Sequence, residues 1–376
     1  MIVAVILYAE CLAIVPLTLI RMQERSHVFV SITLFRFVVM LGLSVTFVVA
    51  LGWGVRGALL ANAASALGVL LILLPEYRVV IRGRLSRCLL RQMLAFGLPF
   101  FPVIFSAWFI EASDRYLLGI YRTTAEVGYY VLGYKVAAVM QIAVTAFTMG
   151  WGPLCYRIAA RRDARAVYRR LTNSYVLASS LLTVIVAVAA RAIVAIIAPH
   201  SYSTAATIVP LIALSYSLNG LYVLMVTGMA IRKRTAPMAW IVGLAALVNI
   251  GLNILLIPRF GMPAAAATTC LSNVIMVAGG WFYSQRVYPI PYDWRRIGRV
   301  IVVGVGVVAP TVLLTPGAGI LGLVSVAGAT LTFVALLIKI HAITSTDRAA
   351  MRAWLAHSRS ALEVRSRQKG LIRDQA

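Results

Sequence analysis

The sequence has 376 residues, of which 61% are hydrophobic and only 12% are charged, and its formal net charge is +24. A soluble domain carries about 25% charged residues, so this composition excludes an ordinary water-soluble fold. The basic residues lie in short connections between long apolar runs, a pattern that indicates membrane topology rather than a nucleic-acid-binding face.

Apolar segments that could cross a bilayer recur along nearly the whole chain. A helical span needs about 20 apolar residues, whereas barrel strands would be shorter and would alternate in polarity. The pattern therefore predicts an all-α polytopic membrane protein with about eleven transmembrane helices. The predicted spans are 2–20, 28–51, 58–75, 97–120, 127–151, 171–198, 206–229, 238–257, 264–283, 300–314 and 319–338.

Lysine and arginine alternate strictly between the two sides of these spans. The connections after odd-numbered spans, together with the C-terminal tail, hold 28 basic residues, and the remaining connections hold only Arg56, Arg122 and Arg259. The positive-inside rule then puts the basic side and the tail in the cytoplasm and Met1 outside. We expect a multi-pass protein of the plasma (inner) membrane with a cytoplasmic C-terminus.

A weak internal repeat predicts two lobes. The segment GVRGALLANAAS at 54–65 matches GMPAAAATTCLS at 261–272, and both enter an inward-going span lined with small residues. An offset of six spans preserves orientation, as in transporters with parallel repeats. The alternative is that Gly/Ala-rich turns are simply common in membrane helices.

The repeat also predicts how the chain is divided. A six-helix C-terminal lobe would occupy 86–285, after a partial N-terminal lobe at 1–85. An appended helix pair would follow at 286–340, and a basic cytoplasmic tail at 341–376. In this two-lobed scheme the N-terminal lobe is incomplete, because three helices would be missing before the first span.

Several motifs occur in order along this topology. They are LLRQMLAFGLP at 89–99, ASDRYLL at 112–118, VGYY at 127–130, NIGLN at 249–253 and IPRFGMPAAA at 257–266. Together they resemble bacterial polysaccharide and O-antigen flippases of the multidrug/oligosaccharidyl-lipid/polysaccharide exporter superfamily. Members typically have twelve to fourteen helices with both termini in the cytoplasm, and this chain departs from that pattern by lacking the first three.

The resemblance implies a non-enzymatic membrane transporter. It would flip polyprenyl-diphosphate-linked oligosaccharide from the inner to the outer leaflet, for lipopolysaccharide O-antigen or another surface polysaccharide. Its partners would be the lipid-linked oligosaccharide, membrane lipids and other polysaccharide-assembly proteins, with no nucleic acid.

Ionisable residues inside spans are costly and usually face a partner or a watery cavity. Glu111, Asp114 and Arg115 share one stripe of the fourth span, by their three- and four-residue spacing. Lys135 lies at a comparable depth on the next span. We expect a substrate- or ion-handling cluster of Asp114, Arg115 and Lys135. The alternative is that Glu111 and Arg115 neutralise each other and only lock the packing.

A second charged pair lies on the first two spans. Glu10 and Arg36 are predicted at similar depth. Arg36 could face a cavity and bind a lipid diphosphate, for which a guanidinium fork is well shaped. The alternative is a structural ion pair between the two residues.

Signatures of other chemistry are absent from the sequence. It has no Walker loop and no HExxH motif, and its four cysteines have no CxxC spacing. We therefore expect no catalytic residues, metal site or cofactor, and an ion gradient or the membrane potential could supply the energy.

Three other functions compete with the flippase. An ion-coupled exporter of small molecules would use the same fold. A membrane-embedded polysaccharide polymerase or ligase is disfavoured, because the predicted outer loops are only about four to eight residues long. The third is a nonfunctional fragment, or half of an assembly that another chain completes.

The predicted topology can be tested by accessibility labelling. In a background without the four native cysteines, single cysteines at Thr124 and Met262 should react with an impermeant maleimide on intact cells. Cysteines at Arg162 and Lys233 should react only after the cells are permeabilised. Reversal at any one of these sites would contradict the assigned orientation.

Overall fold

The structure is a computed structural model, and it divides the chain into two compact units, Met1–Leu94 and Ala95–Ala376. The predicted basic tail at 341–376 lies outside the residues it describes. Those residues are 2–23, 25–81, 86–98, 100–314 and 320–339.

Within the described residues the regular structure is entirely helical, which confirms the predicted fold class. A π-helical turn at Val45–Ala50 continues α2, and a 3-10 helix at His200–Thr207 precedes α8. The α-helices are α1 Ile2–Met22, α2 Ser26–Ser44, α3 Gly54–Ile81, α4 Arg87–Gly97, α5 Phe100–Tyr121, α6 Thr124–Ala159, α7 Ala164–Ile197, α8 Val209–Met225, α9 Thr227–Ile231, α10 Ala236–Phe260, α11 Met262–Val287, α12 Trp294–Leu314 and α13 Ile320–Lys339.

Each of the eleven predicted spans overlaps one or more of these helices. By length and apolar composition, eight helical segments of the described chain could cross a bilayer. They start at Ile2, Ser26, Gly54, Thr124, Ala164, Val209, Ala236 and Met262. The other predicted spans correspond to α5, α12 and α13, which are not among the eight, and α5 carries three charged residues within 22.

Two local features differ from the sequence prediction. Residues 87–96, predicted as part of the connection before the span 97–120, belong to the separate helix α4. Its 11 residues mix apolar and basic side chains, so a search for long apolar runs does not find it. The span predicted at 206–229 is one continuous helix only from Val209 to Met225, and α9 follows after Val226.

In the unit Met1–Leu94, α1 and α2 both pack against α3. Ile20 of α1, Ile32 of α2, and Val69 and Leu73 of α3 form its buried core. The α3 helix starts at Gly54, whose φ of +53° is a left-handed conformation that favours glycine.

In the unit Ala95–Ala376, α8 packs against α6, α7 and α11, while α10 packs against α5 and α11. The appended helices α12 and α13 both pack against α7. Side chains join these helices: Trp151 Nε1 donates to Thr227 Oγ1 at 3.1 Å. The hydroxyl of Tyr175 donates to the Ser217 carbonyl at 2.8 Å. These bonds hold α8 and α9 against α6 and α7.

One turn of this unit fixes where α6 and α11 begin. Thr123 caps α6 by accepting from the Glu126 backbone N–H at 3.3 Å, as the Thr-x-x-Glu sequence predicts. The Glu126 carboxylate accepts from Arg122 Nε at 2.9 Å and from the Met262 backbone N–H at 2.7 Å. Gly261, at φ +62°, and Gly54, at φ +53°, are the glycines at which the two segments of the predicted repeat begin.

The close packing of α6 against the 3-10 helix can be tested at a glycine. A Cβ at Gly133 would lie 2.6 Å from Ile208 Cδ1 and 2.9 Å from the Ala205 carbonyl oxygen, so Gly133→Ala should lower the thermal midpoint in detergent. Gly251→Ala, in α10, meets no atom within 4 Å and should leave the midpoint unchanged or raise it. Equal midpoints for the two variants would contradict this packing.

Candidate functional site

Asp114 of α5 is the centre of a buried polar network in the unit Ala95–Ala376. Its side chain is fully buried, with 0% exposure. Its Oδ1 accepts from Asn253 Nδ2 at 2.6 Å, and its Oδ2 accepts from the hydroxyls of Tyr130 and Thr269, each at 2.6 Å. A buried carboxylate is strongly disfavoured unless donors surround it, and three helices supply these donors.

Hydrogen bonds with neighbouring side chains orient the Asn253 amide. Asn253 Nδ2 also donates to Asn249 Oδ1 at 3.1 Å, and Ser113 Oγ donates to that same oxygen at 3.1 Å. The Thr268 hydroxyl donates to Asn253 Oδ1. We call the set the Asp114 network; its members are Ser113, Asp114, Tyr130, Tyr134, Asn249, Asn253, Thr268 and Thr269.

The partners of Asp114 are uncharged. Among the described residues, no lysine or arginine forms a hydrogen bond or ion pair with its carboxylate. The network therefore holds one carboxylate among hydroxyl and amide groups. An oxygen-rich set of this kind suits a proton or a hard monovalent cation better than a soft metal.

A cavity of about 280 Å³ adjoins the network between α5, α6, α8 and α11. Tyr134 and Thr269 belong to both the cavity and the network. Most of its lining is uncharged but able to hydrogen-bond, and Glu111 is the one charged residue among the lining residues described. The polar residues that line it are Glu111, Tyr134, Gln141, Thr145, Thr148, Ser215, Tyr216, Asn219, Thr269 and Asn273.

Arg115 lies at the edge of this region rather than in the Asp114 network. Its Nη2 is 3.4 Å from Glu111 Oε1, one helical turn away, so the two residues form the ion pair considered in the sequence analysis. The Arg115 guanidinium also lies 5.2 Å from the centroid of the Tyr134 ring. Both side chains of this pair are partly exposed at the protein surface.

Lys135 is separate from the other two members of the expected cluster. It is exposed on α6, although its neighbour Tyr134 faces Asp114. In the part of the chain that the structure describes, Lys135 forms no hydrogen bond or ion pair with Asp114 or Arg115. Adjacent helical residues point about 100° apart, which explains why similar depth did not bring the three charges together.

The two charged candidates of the other unit pair with each other. Arg36 Nη1 donates to Glu10 Oε2 at 3.0 Å, and Arg36 Nη2 donates to Glu10 Oε1. This bidentate geometry corresponds to the structural ion pair considered as the alternative to diphosphate binding. Both side chains remain about one-third exposed.

Sequence reasoning identified Asp114 but not its partners. In the sequence, Tyr130 and Asn253 belong to motifs that resemble the family and Thr269 belongs to the predicted repeat, but none of these patterns indicates a contact with Asp114. The four-residue spacing of Asn249 and Asn253, which puts two amides on one face of an apolar helix, was an available signal. It did not reveal which helix this face would meet.

The chain thus combines long apolar helices with a polar cavity beside a buried carboxylate. Residues 1–197 match a family model described as "Polysaccharide biosynthesis protein". This match covers more than half of the chain, so the protein belongs to that family, as the resemblance predicted. No curated protein matches the sequence.

Two solved structures share the fold. One is "Lipid II flippase MurJ, inward closed conformation", with TM-score 0.57 and 12% identity, covering 84% of this chain and 68% of that one. The other is the Vibrio cholerae MATE transporter VcmN in the bent form, with TM-score 0.51 and 19% identity, covering 68% of this chain and 61% of that one.

The contribution of the Asp114 network to the stability of the protein can be measured with one substitution. Tyr130→Phe removes the hydroxyl that donates to Asp114 Oδ2 and should lower the free energy of unfolding by about 1–3 kcal/mol. Tyr129→Phe is the matched control, because the Tyr129 ring contact with Tyr202 does not need a hydroxyl. Thermal denaturation in detergent micelles compares the two variants, and shifts of equal size would show that the Tyr130 hydroxyl is not special.

Proposed function

We propose that this protein is a flippase for polyprenyl-diphosphate-linked oligosaccharide, which it moves from the cytoplasmic to the outer leaflet by alternating access. The observation that carries the proposal is the cavity beside Asp114, in a chain of the polysaccharide biosynthesis family. Its hydroxyl, amide and tyrosine side chains match the hydroxyl groups and apolar faces of a sugar. The MurJ structure, which shares the fold, is of a lipid II flippase.

Asp114 is the group that we propose to couple transport to an ion gradient. A carboxylate buried among neutral donors is stabilised further whenever a cation or a proton binds to it. Binding would rearrange the hydroxyls of Tyr130 and Thr269, which belong to different helices. The binding of a cation or a proton to Asp114 would in this way change the contacts among α5, α6 and α11.

The basic candidates have a different proposed role. Arg115, at the edge of the cavity, and Lys135, on the exposed side of α6, would attract the diphosphate while the sugar occupies the uncharged lining. Arg36, in the other unit, would do so only after releasing Glu10. In the proposed orientation the C-terminus lies on the cytoplasmic side of the plasma membrane, as the distribution of basic residues indicates.

A second candidate function is an exporter of small cations from the same superfamily. Glu111 favours it, since this residue is the one charged group among the described cavity-lining residues. An enzyme that polymerises or ligates glycans is less well supported. Three of the connections on the proposed outer side are as short as 51–53, 122–123 and 261, which leaves little room for an outer active site.

Loss of the gene should trap lipid-linked glycan on the cytoplasmic face and reduce surface polysaccharide. Glycosyltransferase activity in lysates should stay normal, whereas lost activity would favour an enzyme. In the deleted strain, Thr145→Trp should fail to restore surface glycan, because it fills the cavity. Ile142→Trp, on the same helix but exposed and outside the cavity lining, should restore it at equal protein level.

The deleted strain also separates the two proposed substrates, and a proteoliposome assay tests the coupling to an ion gradient. Unchanged glycan export with loss of resistance to a cationic dye would instead support the small-cation exporter. In proteoliposomes, Asp114→Asn should abolish the response of lipid-linked glycan flipping to imposed sodium or proton gradients. A full gradient response in this variant would exclude Asp114 as the coupling group.

A further inference from the structure

A second concave site lies far along α6 and α7 from the Asp114 network. It is a pocket of about 570 Å³ at the turn between these two helices, closed on one side by Tyr288 and Pro291. The charged residues that line it are Arg161, Arg162, Asp163, Arg165 and Arg169. We call it the arginine pocket. Four arginines against one aspartate give the pocket a net positive charge.

The single acidic residue of the arginine pocket, Asp163, is paired with one of the four arginines. Arg161 Nε and Nη2 donate to the two Asp163 oxygens at 2.8 and 3.0 Å. These hydrogen bonds hold the pKa of the Asp163 carboxyl below its usual range. Among the described residues, no carboxylate pairs with Arg162, Arg165 or Arg169, so three positive charges of the pocket are not neutralised.

Aromatic packing supports the arginine side chains. The Arg165 guanidinium lies 5.3 Å from the centroid of the Tyr288 ring, and that of Arg232 lies 5.8 Å from it. Tyr288 in turn packs edge-on against Tyr168, whose hydroxyl is fixed to the Cys155 carbonyl at 2.6 Å. These contacts hold arginines from two separate connections around one ring.

The backbone of α7 adds to the positive electrostatic potential of the arginine pocket. The pocket includes Ala164 and Ala166, in the first turn of the 34-residue helix α7. Asp163 precedes this helix but makes no capping hydrogen bond with its side chain, which is turned to Arg161. The positive end of α7 therefore faces the pocket, and Asp163 is the one carboxylate that lines the pocket there.

Membrane topology alone does not require this arrangement. The positive-inside rule depends on how many basic residues a connection holds, and not on their convergence around a cavity. Arg165 and Arg169 repel each other at a four-residue spacing on α7, a small cost that an anion between them would remove. Unneutralised arginines, the aromatic rings that pack against them and a helix N-terminus all favour the binding of a phosphate group, and this pocket combines the three.

We propose that the arginine pocket binds the phosphate of an anionic phospholipid in the leaflet next to the α6–α7 turn. Basic pockets at the ends of transmembrane helices have the charge and shape to bind such headgroups. This inference does not depend on what the transporter carries. A bound lipid phosphate would offset part of the positive charge of Arg162, Arg165 and Arg169 and join the α6–α7 turn to the segment around Tyr288.

Native mass spectrometry of the delipidated full chain can test this site with equimolar phosphatidylglycerol and phosphatidylcholine. Wild type should retain phosphatidylglycerol preferentially. Arg162→Gln/Arg169→Gln leaves the Arg165 contact with Tyr288 intact and should weaken phosphatidylglycerol binding by more than about tenfold, at about fivefold per arginine. Lys233→Gln/Arg234→Gln is the matched control, because it removes two exposed charges outside the pocket lining.

Three outcomes would overturn the proposal. These are equal retention of the two lipids by wild type, equal loss of binding in the pocket variant and the control, and displacement of the lipid by inorganic phosphate at the same concentration. The last outcome would identify a site for free phosphate instead. The wild-type lipid comparison and the phosphate competition decide the matter even if the pocket variant does not fold.

Discussion

The buried charge of Asp114 constrains the unit Ala95–Ala376 more than any other interaction. A carboxylate without exposure must be surrounded by donors, and here α6, α10 and α11 each supply one to a residue of α5. The requirement explains why amide and hydroxyl side chains occur at one level of otherwise apolar helices. It also explains the position of the cavity, because Tyr134 and Thr269 continue the polar surface from the network into the cavity lining.

The same four helices are joined a second time at the turn where α11 begins. There Glu126 holds both Arg122 and the Met262 backbone, about two helical turns from Tyr134 along α6 by sequence spacing. Two attachments at different heights fix the α5–α6 hairpin against the α10–α11 hairpin. Three of these helices, α5, α6 and α11, also contribute side chains to the cavity wall, together with α8.

Charge and hydrogen-bonding capacity are separated within this unit. The cavity is lined by neutral polar groups and one acid, whereas the arginines collect in the pocket at the α6–α7 turn. The sequence predicted one substrate- or ion-handling cluster of Asp114, Arg115 and Lys135, since it could compare only their depths. Depth along a helix does not specify the face on which a side chain lies, and Lys135 lies on a face of α6 different from that of Tyr134.

The sequence by itself determined that this is an all-helical membrane protein, where each predicted span would lie and which family motifs it carries. Those properties follow from length, hydropathy and local order along the chain, because a bilayer requires every span to be apolar and internally hydrogen-bonded. Only the tertiary structure decided that Asp114 meets Asn253, 139 residues away, and that Arg36 pairs with Glu10. Which polar groups converge depends on how helices rotate and pack against one another, and this is fixed by contacts between distant segments rather than by any local pattern.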